Sequence, residues 1–206
     1  MMGAMDAARV EMMRDLLCST GWVERTRDFA RALRRSTRCV GGLLLVGTPE
    51  EEPWHLAAHL DEESRLAGIP EIAPTLVRWQ IPTNAPPHLR VTLQRLEQAT
   101  RGETVFVVSP GVAPVPLLER VSRARRTGAT VLAIDHGDQE LDDLAHEVIS
   151  VGSGLALPLS PEPISLDTVQ HLVCAAAREP LDDRRNGLRG RLARLIDIVS
   201  GPAPQR

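Results

Sequence analysis

Residues 42–60, GLLLVGTPEEEPWHLAAHL, decide the fold. The glycine-led run Leu43 to Val46 has the unbroken hydrophobicity of a strand buried on both faces. Gly47-Thr48-Pro49 ends it, three acids follow, and a helix from Trp54 to Ala67 then carries His55 and His59 before Gly68 stops it. A strand that opens at its C-terminal end through a short loop into a helix is where α/β proteins place ligands. A phosphate-binding loop needs glycines and hydroxyls there, and this loop holds Glu50, Glu51 and Glu52.

Working outward, strand and helix patterns alternate. Helices are predicted at 5–18 and 22–36, the latter from Trp22, Thr26, Phe29, Ala30 and Leu33 at helical spacing. A second apolar run lies within 72–79. Prolines 82, 86 and 87 break the chain before a predicted helix at 88–99. Strands at 104–108, 130–134 and 147–151 are separated by helices at 115–126 and 141–145. A Gly/Pro-rich loop is expected at 152–164, and then a helix at 166–177 with Ser165 as its N-cap. After a polar linker, Leu188, Leu192, Leu195, Ile196 and Val199 form one apolar stripe on a last helix. The pattern predicts a doubly wound α/β fold with a mostly parallel five-stranded sheet. Its organisation is N-terminal oligomerisation helices at 1–40, an α/β core at 41–180, and a linker with a C-terminal amphipathic helix at 181–206.

Composition narrows the function. A chain of 206 residues with net charge −3 has no basic field for nucleic acid, so that partner is not expected. All 24 basic residues are arginine, which excludes Schiff-base lysine chemistry and a Walker-type phosphate lysine. Tyrosine is absent, and few aromatics remain for stacking on bases or sugar rings. Cys18, Cys39 and Cys174 lie far apart and read as reduced, mostly buried thiols. The first twenty residues mix charges among apolar positions, unlike a signal peptide, and no apolar run is long enough to span a membrane. A cytoplasmic location without membrane contact is expected.

Several segments then acquire a common reading. His55-Leu56-Ala57-Ala58-His59-Leu60 is similar to an H-x-A-A-E-L helix, and Leu66 to Ala73 to an R-x-G-L-P-A-I-A segment. Val107-Val108-Ser109-Pro110-Gly111 stands where an I-S-x-S-G-x-S loop would, and Ala124 to Ile134 fits A-x-x-x-G-x-x-V-I-A-L. Leu144 to Val151 fits L-A-D-x-x-I-x-V, and Asp167 to His171 is similar to an R-I-Q-E-x-H helix. Together these resemble the sugar-isomerase (SIS) domains, within them the group of phosphoheptose isomerases and DnaA initiator-associating proteins. The resemblance runs from the N-terminal helices to about residue 178. It implies a sugar-derivative site between two phosphate loops, here at Gly47, Thr48, Glu50 and Glu51 and at Ser109 and Gly111, and a homodimer or homotetramer.

The functional positions depart from that pattern. Pro49 removes a backbone donor, and carboxylates stand where a dianionic phosphate would lie. The resemblance places a glutamate base at position 59 and a second catalytic histidine near 178, where this chain has His59 and Arg178. Gln170 is retained, with His171 after it. If the chain is active, His59, His171 and Gln170 are the catalytic candidates.

His55 and His59, four apart, share a helical face. With Gln170 and His171 they match the zinc-ligand positions of some family members, although an interface role for the histidines is the plainer reading. No cofactor is expected, zinc being the exception these residues leave open. Glu50 to Glu52 read as acids favouring a helix N-terminus, and Glu62 and Glu63 as a solvated helix face. The Asp/His pairing in Asp135-His136-Gly137-Asp138 suggests a catalytic dyad, although a turn explains Asp, Gly and Asp as well. The expected function is that of a regulatory or weakly active SIS module binding a sugar derivative or a protein partner. The alternatives are a sugar-phosphate aldose–ketose isomerase and a metal-dependent enzyme on the same fold.

Overall fold

The computed structural model describes residues 21–86, 89–151, 156–157 and 160–179. The strands are β1 (Leu43–Val46), β2 (Pro74–Val77), β3 (Thr104–Ser109), β4 (Thr130–Asp135) and β5 (Glu147–Ser150). They form one sheet in the order β2-β1-β3-β4-β5, with every pairing parallel. The fold is therefore the predicted α/β class. The helices are α1 (Trp22–Ser36), α2 (Trp54–Ala67), α3 (Val115–Arg126), α4 (Gln139–Leu144) and α5 (Leu166–Ala177).

Continuous apolar strands feed two cores because alternate side chains leave opposite faces of the sheet. Leu43, Leu45, Phe106, Val108, Leu132 and Ile134 face α1, α2 and α5. Leu44, Val46, Val105, Val107, Val131 and Ala133 face α3, α4 and a 3₁₀ segment at Leu93–Gln98. Each fully buried leucine or phenylalanine contributes about 1.5–3 kcal/mol relative to exposure. The chain leaves β1 toward β2 on one side and reaches β3 on the other. The divergence point at the C-terminal ends of β1 and β3 is where this topology opens a ligand crevice.

Four expectations are modified. The helix predicted at 88–99 is only the 3₁₀ segment, because Arg78 N donates to Val91 O at 2.8 Å and a parallel bridge joins Arg78 to Thr92. β-Branched Val91 and Thr92 suit that extended path better than a helix. α4 begins two residues early, since Asp138 is its N-cap and accepts from Glu140 N and Leu141 N. Within the expected loop at 152–164, Ala156–Leu157 (β6) and Ser160–Pro163 (β7) pair antiparallel. Cys39 is exposed, while Cys174 is buried.

Phe29 and Leu33, on the segment expected to serve oligomerisation, are 2% and 0% exposed inside their own chain. Phe29 packs on Phe106 with ring centroids 5.2 Å apart. α1 is tied to the end of α5 by Arg27 Nε to Glu179 Oε2 at 3.0 Å and by Arg34 to the Glu179 carbonyl. The expected helix at 5–18, the last helix, and Leu16, Leu192 and Ile196 lie outside the described residues. Among the described residues no helix is long and apolar enough to cross a membrane.

Candidate functional site

The loop after β1 is closed on itself. A Cβ at Gly47 would lie 2.2 Å from the Glu51 carbonyl oxygen and 2.7 Å from Pro53 Cδ, so only glycine lets the chain turn this tightly. Thr48 is 4% exposed. Its backbone N donates to Glu51 O at 3.1 Å and its hydroxyl accepts from Glu51 N at 3.3 Å. Glu52 turns away from the helix N-terminus. Its carboxylate accepts from Arg78 Nε at 3.1 Å and Trp79 N at 3.3 Å, and lies 3.0 Å from Arg78 Nη2. Arg78 also lies 4.4 Å over the Trp54 ring, and Trp79 Nε1 donates to Gly47 O at 2.9 Å. The donors that an anion would use at this rim thus already hold a carboxylate of the chain. Glu50 and Glu51 remain exposed beside an open cleft of about 500 Å³, lined also by Trp54, Trp79 and Gln80.

The loop after β3 is filled in the same manner. Ser109 is 0% exposed, and its hydroxyl donates to Gly111 O at 2.7 Å. Ala113 N, just before α3, donates to Asp138 Oδ2 at 2.6 Å. Asp135 points inward and accepts from Gly137 N at 2.9 Å and Asp138 N at 3.3 Å, while His136 Nδ1 donates to Pro110 O at 2.8 Å. These are turn contacts, with Asp135 and His136 engaging different partners. Nearby Asp142 has its carboxyl pushed up to about 6, first by burial, then by hydrogen bonding with Asp135 and by the charges of Asp135 and Asp138; a Ser150 hydrogen bond opposes the rise.

The third place is the groove between α2 and α5. His55 and His59 project from successive turns of α2, and His171 meets them from α5. One ligand nitrogen from each ring lies within 4.8 Å of the other two. His55 Nε2 and His59 Nε2 are 2.8 Å apart, one donating and the other accepting. The ring centroids stand 4.5, 5.0 and 4.8 Å apart. Tetrahedral zinc with Zn–N near 2.0–2.1 Å requires nitrogens roughly 3.3 Å apart, a spacing between those two limits. Small ring rotations would bring the three nitrogens onto one ion, so the residues fit a metal. Asp167 Oδ2 lies 3.6 Å from His171 Nε2. Gln170, about 100° further round the helix, is buried.

Two residues here escaped sequence reasoning. Glu63, expected on a solvated face, has a side chain only 17% exposed, with Oε2 3.8 Å from Arg178 Nη1. Burial raises its carboxyl above the ordinary range; Arg178 opposes this, Glu62 adds to it and His59 opposes it. The signal was present as the 55, 59, 63 spacing along one helix face, unreadable until α5 is known to cover it. Arg78 gave no local signal, because its approach to Glu52 needs the pairing of β1 with β2.

No family model matches the chain, and no curated protein matches it. Among solved structures it is similar to a protein described as sugar binding from Salmonella typhimurium LT2, with 18% identity over 89% of this chain and 50% of that one, at a TM-score of 0.48. It is also similar to a protein described as a phosphosugar isomerase from Silicibacter pomeroyi DSS-3, with 18% identity over 92% of this chain and 54% of that one, at a TM-score of 0.47. The chain spans about half the length of both solved structures.

Proposed function

We propose that this protein is an SIS-type module that binds a transition metal, zinc by its donor chemistry, and uses that centre to hold a carbohydrate derivative, without the aldose–ketose isomerase activity of the group its motifs resemble. The observation that carries the metal reading is the meeting of His55, His59 and His171 from two helices. A lone histidine pair four apart is commonplace; a third imidazole arriving from another element is what a ligand set requires. His55, His59 and His171 would hold the ion. Three protein ligands would leave room for water or a substrate oxygen, and a metal held there would supply Lewis-acid polarisation. His55 is exposed, so the site is reachable from solvent.

The case against isomerisation rests on what the residues already do. The reaction needs a positioned base. His59 occupies the position that the resemblance gives to that base, and its Nε2 is engaged with His55. Beside the first loop, Trp79 N after β2 holds Glu52, and in the second loop Ala113 N holds Asp138. The carbohydrate class comes from the motif resemblance alone.

Zinc titration by calorimetry should give about one ion per chain, lost on His55→Ala and on His171→Ala. A wild-type protein that binds no zinc overturns the metal reading. Sedoheptulose 7-phosphate and fructose 6-phosphate should bind only in the millimolar range, roughly −4 kcal/mol, and should not be interconverted. Turnover of either would restore the isomerase reading.

A further inference from the structure

We infer that Glu63 is a positioning residue for the three-histidine centre, the carboxylate that orients His59 when a metal is bound; this rests on the metal reading above. Positions 55, 59 and 63 repeat every four residues and form one stripe along α2. α5 lies against that stripe, with His171 beside the two histidines and Arg178 beside Glu63. Glu63 Oε2 is sealed from solvent and accepts no hydrogen bond. Arg178 Nη1, at 3.8 Å, is beyond hydrogen-bond distance, and its own side chain is 51% exposed. A buried carboxylate oxygen without a donor is unfavourable, so its retention asks for a partner in another state of the site.

His59 supplies that partner. Its Nε2 faces His55, which leaves Nδ1 for a second contact. Imidazoles that bind metal commonly donate their other N–H to a carboxylate, which fixes the ring and strengthens the ligand. Glu63, one turn along the same helix, is the carboxylate placed to receive it. Asp167, four residues before His171 on α5, stands in a comparable relation to that ring at 3.6 Å. Arg178 then counters the Glu63 charge without competing at hydrogen-bond range.

The test measures cobalt(II) and zinc(II) affinity of the full chain by competition with a chromophoric chelator. Glu63→Leu should weaken binding roughly 10- to 100-fold. Glu63→Gln, which keeps an acceptor but not the charge, should weaken it less and should alter the visible cobalt absorption bands. Glu62→Gln removes the same charge from the exposed neighbouring position and should leave affinity and spectrum unchanged. Thermal unfolding of the metal-free variants separates lost folding from lost binding, and Glu63→Gln remains informative if Glu63→Leu does not fold. Wild-type affinity and spectrum in Glu63→Gln and Glu63→Leu would overturn the role of Glu63 while leaving the metal centre intact. Failure of the wild type to bind either ion would overturn both.

Discussion

Asp142 sits at the C-terminal end of the sheet beside Asp135 and Asp138, with its carboxyl pushed up to about 6 chiefly by burial. An unfolded aspartate titrates near 3.9, so between about pH 4 and pH 6 the folded chain holds a proton that the unfolded chain has released. The sign is destabilising at neutral pH: stability falls as pH rises through that window and the ionised form must be kept beside other carboxylates. Asp142→Asn removes the repulsion and offers Asp135 an amide donor. Screening at this partly exposed site leaves a gain of about 1 kcal/mol near pH 7 that disappears below about pH 4. Urea unfolding at both pH values checks it, and an equal effect at the two would refute the assignment. Residue-scale chemistry was only partly legible in the sequence. His55 and His59 announced themselves by spacing and His171 by its place in a resembling motif. Asp142, Glu63 and Arg78 did not, since their behaviour depends on which elements pack over them.

At the scale of elements, strands β1, β3 and β4 could be read almost to the residue because a continuous apolar run between turn signals admits few alternatives. The 88–99 segment was misread because helix-compatible composition in Leu93–Gln98 was extended backward into a stretch that bridges to β2. The β1–α2 loop shows how tightly an element boundary can be set. Gly47 sits against the Glu51 carbonyl, and its own carbonyl receives Trp79 Nε1. Gly47→Ala should therefore displace the loop, loosen the Glu52–Arg78 contact and reduce stability by about 1–3 kcal/mol. Denaturant melting with tryptophan fluorescence would detect both effects through Trp54 and Trp79. An unchanged midpoint would mean that the loop tolerates a wider turn.

At the scale of the molecule, the sequence reading assigned assembly to the N-terminal helices at 1–40, which would need an apolar face left uncovered by their own chain. α1 does not provide one, since its stripe is buried against the sheet and α5. Among the described residues, Val40 and Leu66 are exposed singly elsewhere, while Trp54, Ile81, Val112 and Val115 lie in the connections that follow β1, β2 and β3, with Val112 83% exposed and Val115 63% exposed. Four large exposed apolar side chains, on loops and helix starts at the same end of a parallel sheet, are a concentration that isolated surface residues do not make. We expect a second copy of the chain to cover that rim. A closed twofold contact would use the same patch on both partners and bring two candidate sites near each other. Light scattering at micromolar concentration should then give at least twice the 22.5 kDa chain mass, and Val112→Glu with Val115→Glu should return the mass to one chain. A monomeric wild type would refute assembly. A double variant that keeps the larger mass would refute the rim as the contact, because four buried, unpaired carboxylates at a twofold interface, two from each copy, cost several kcal/mol and would not be tolerated there.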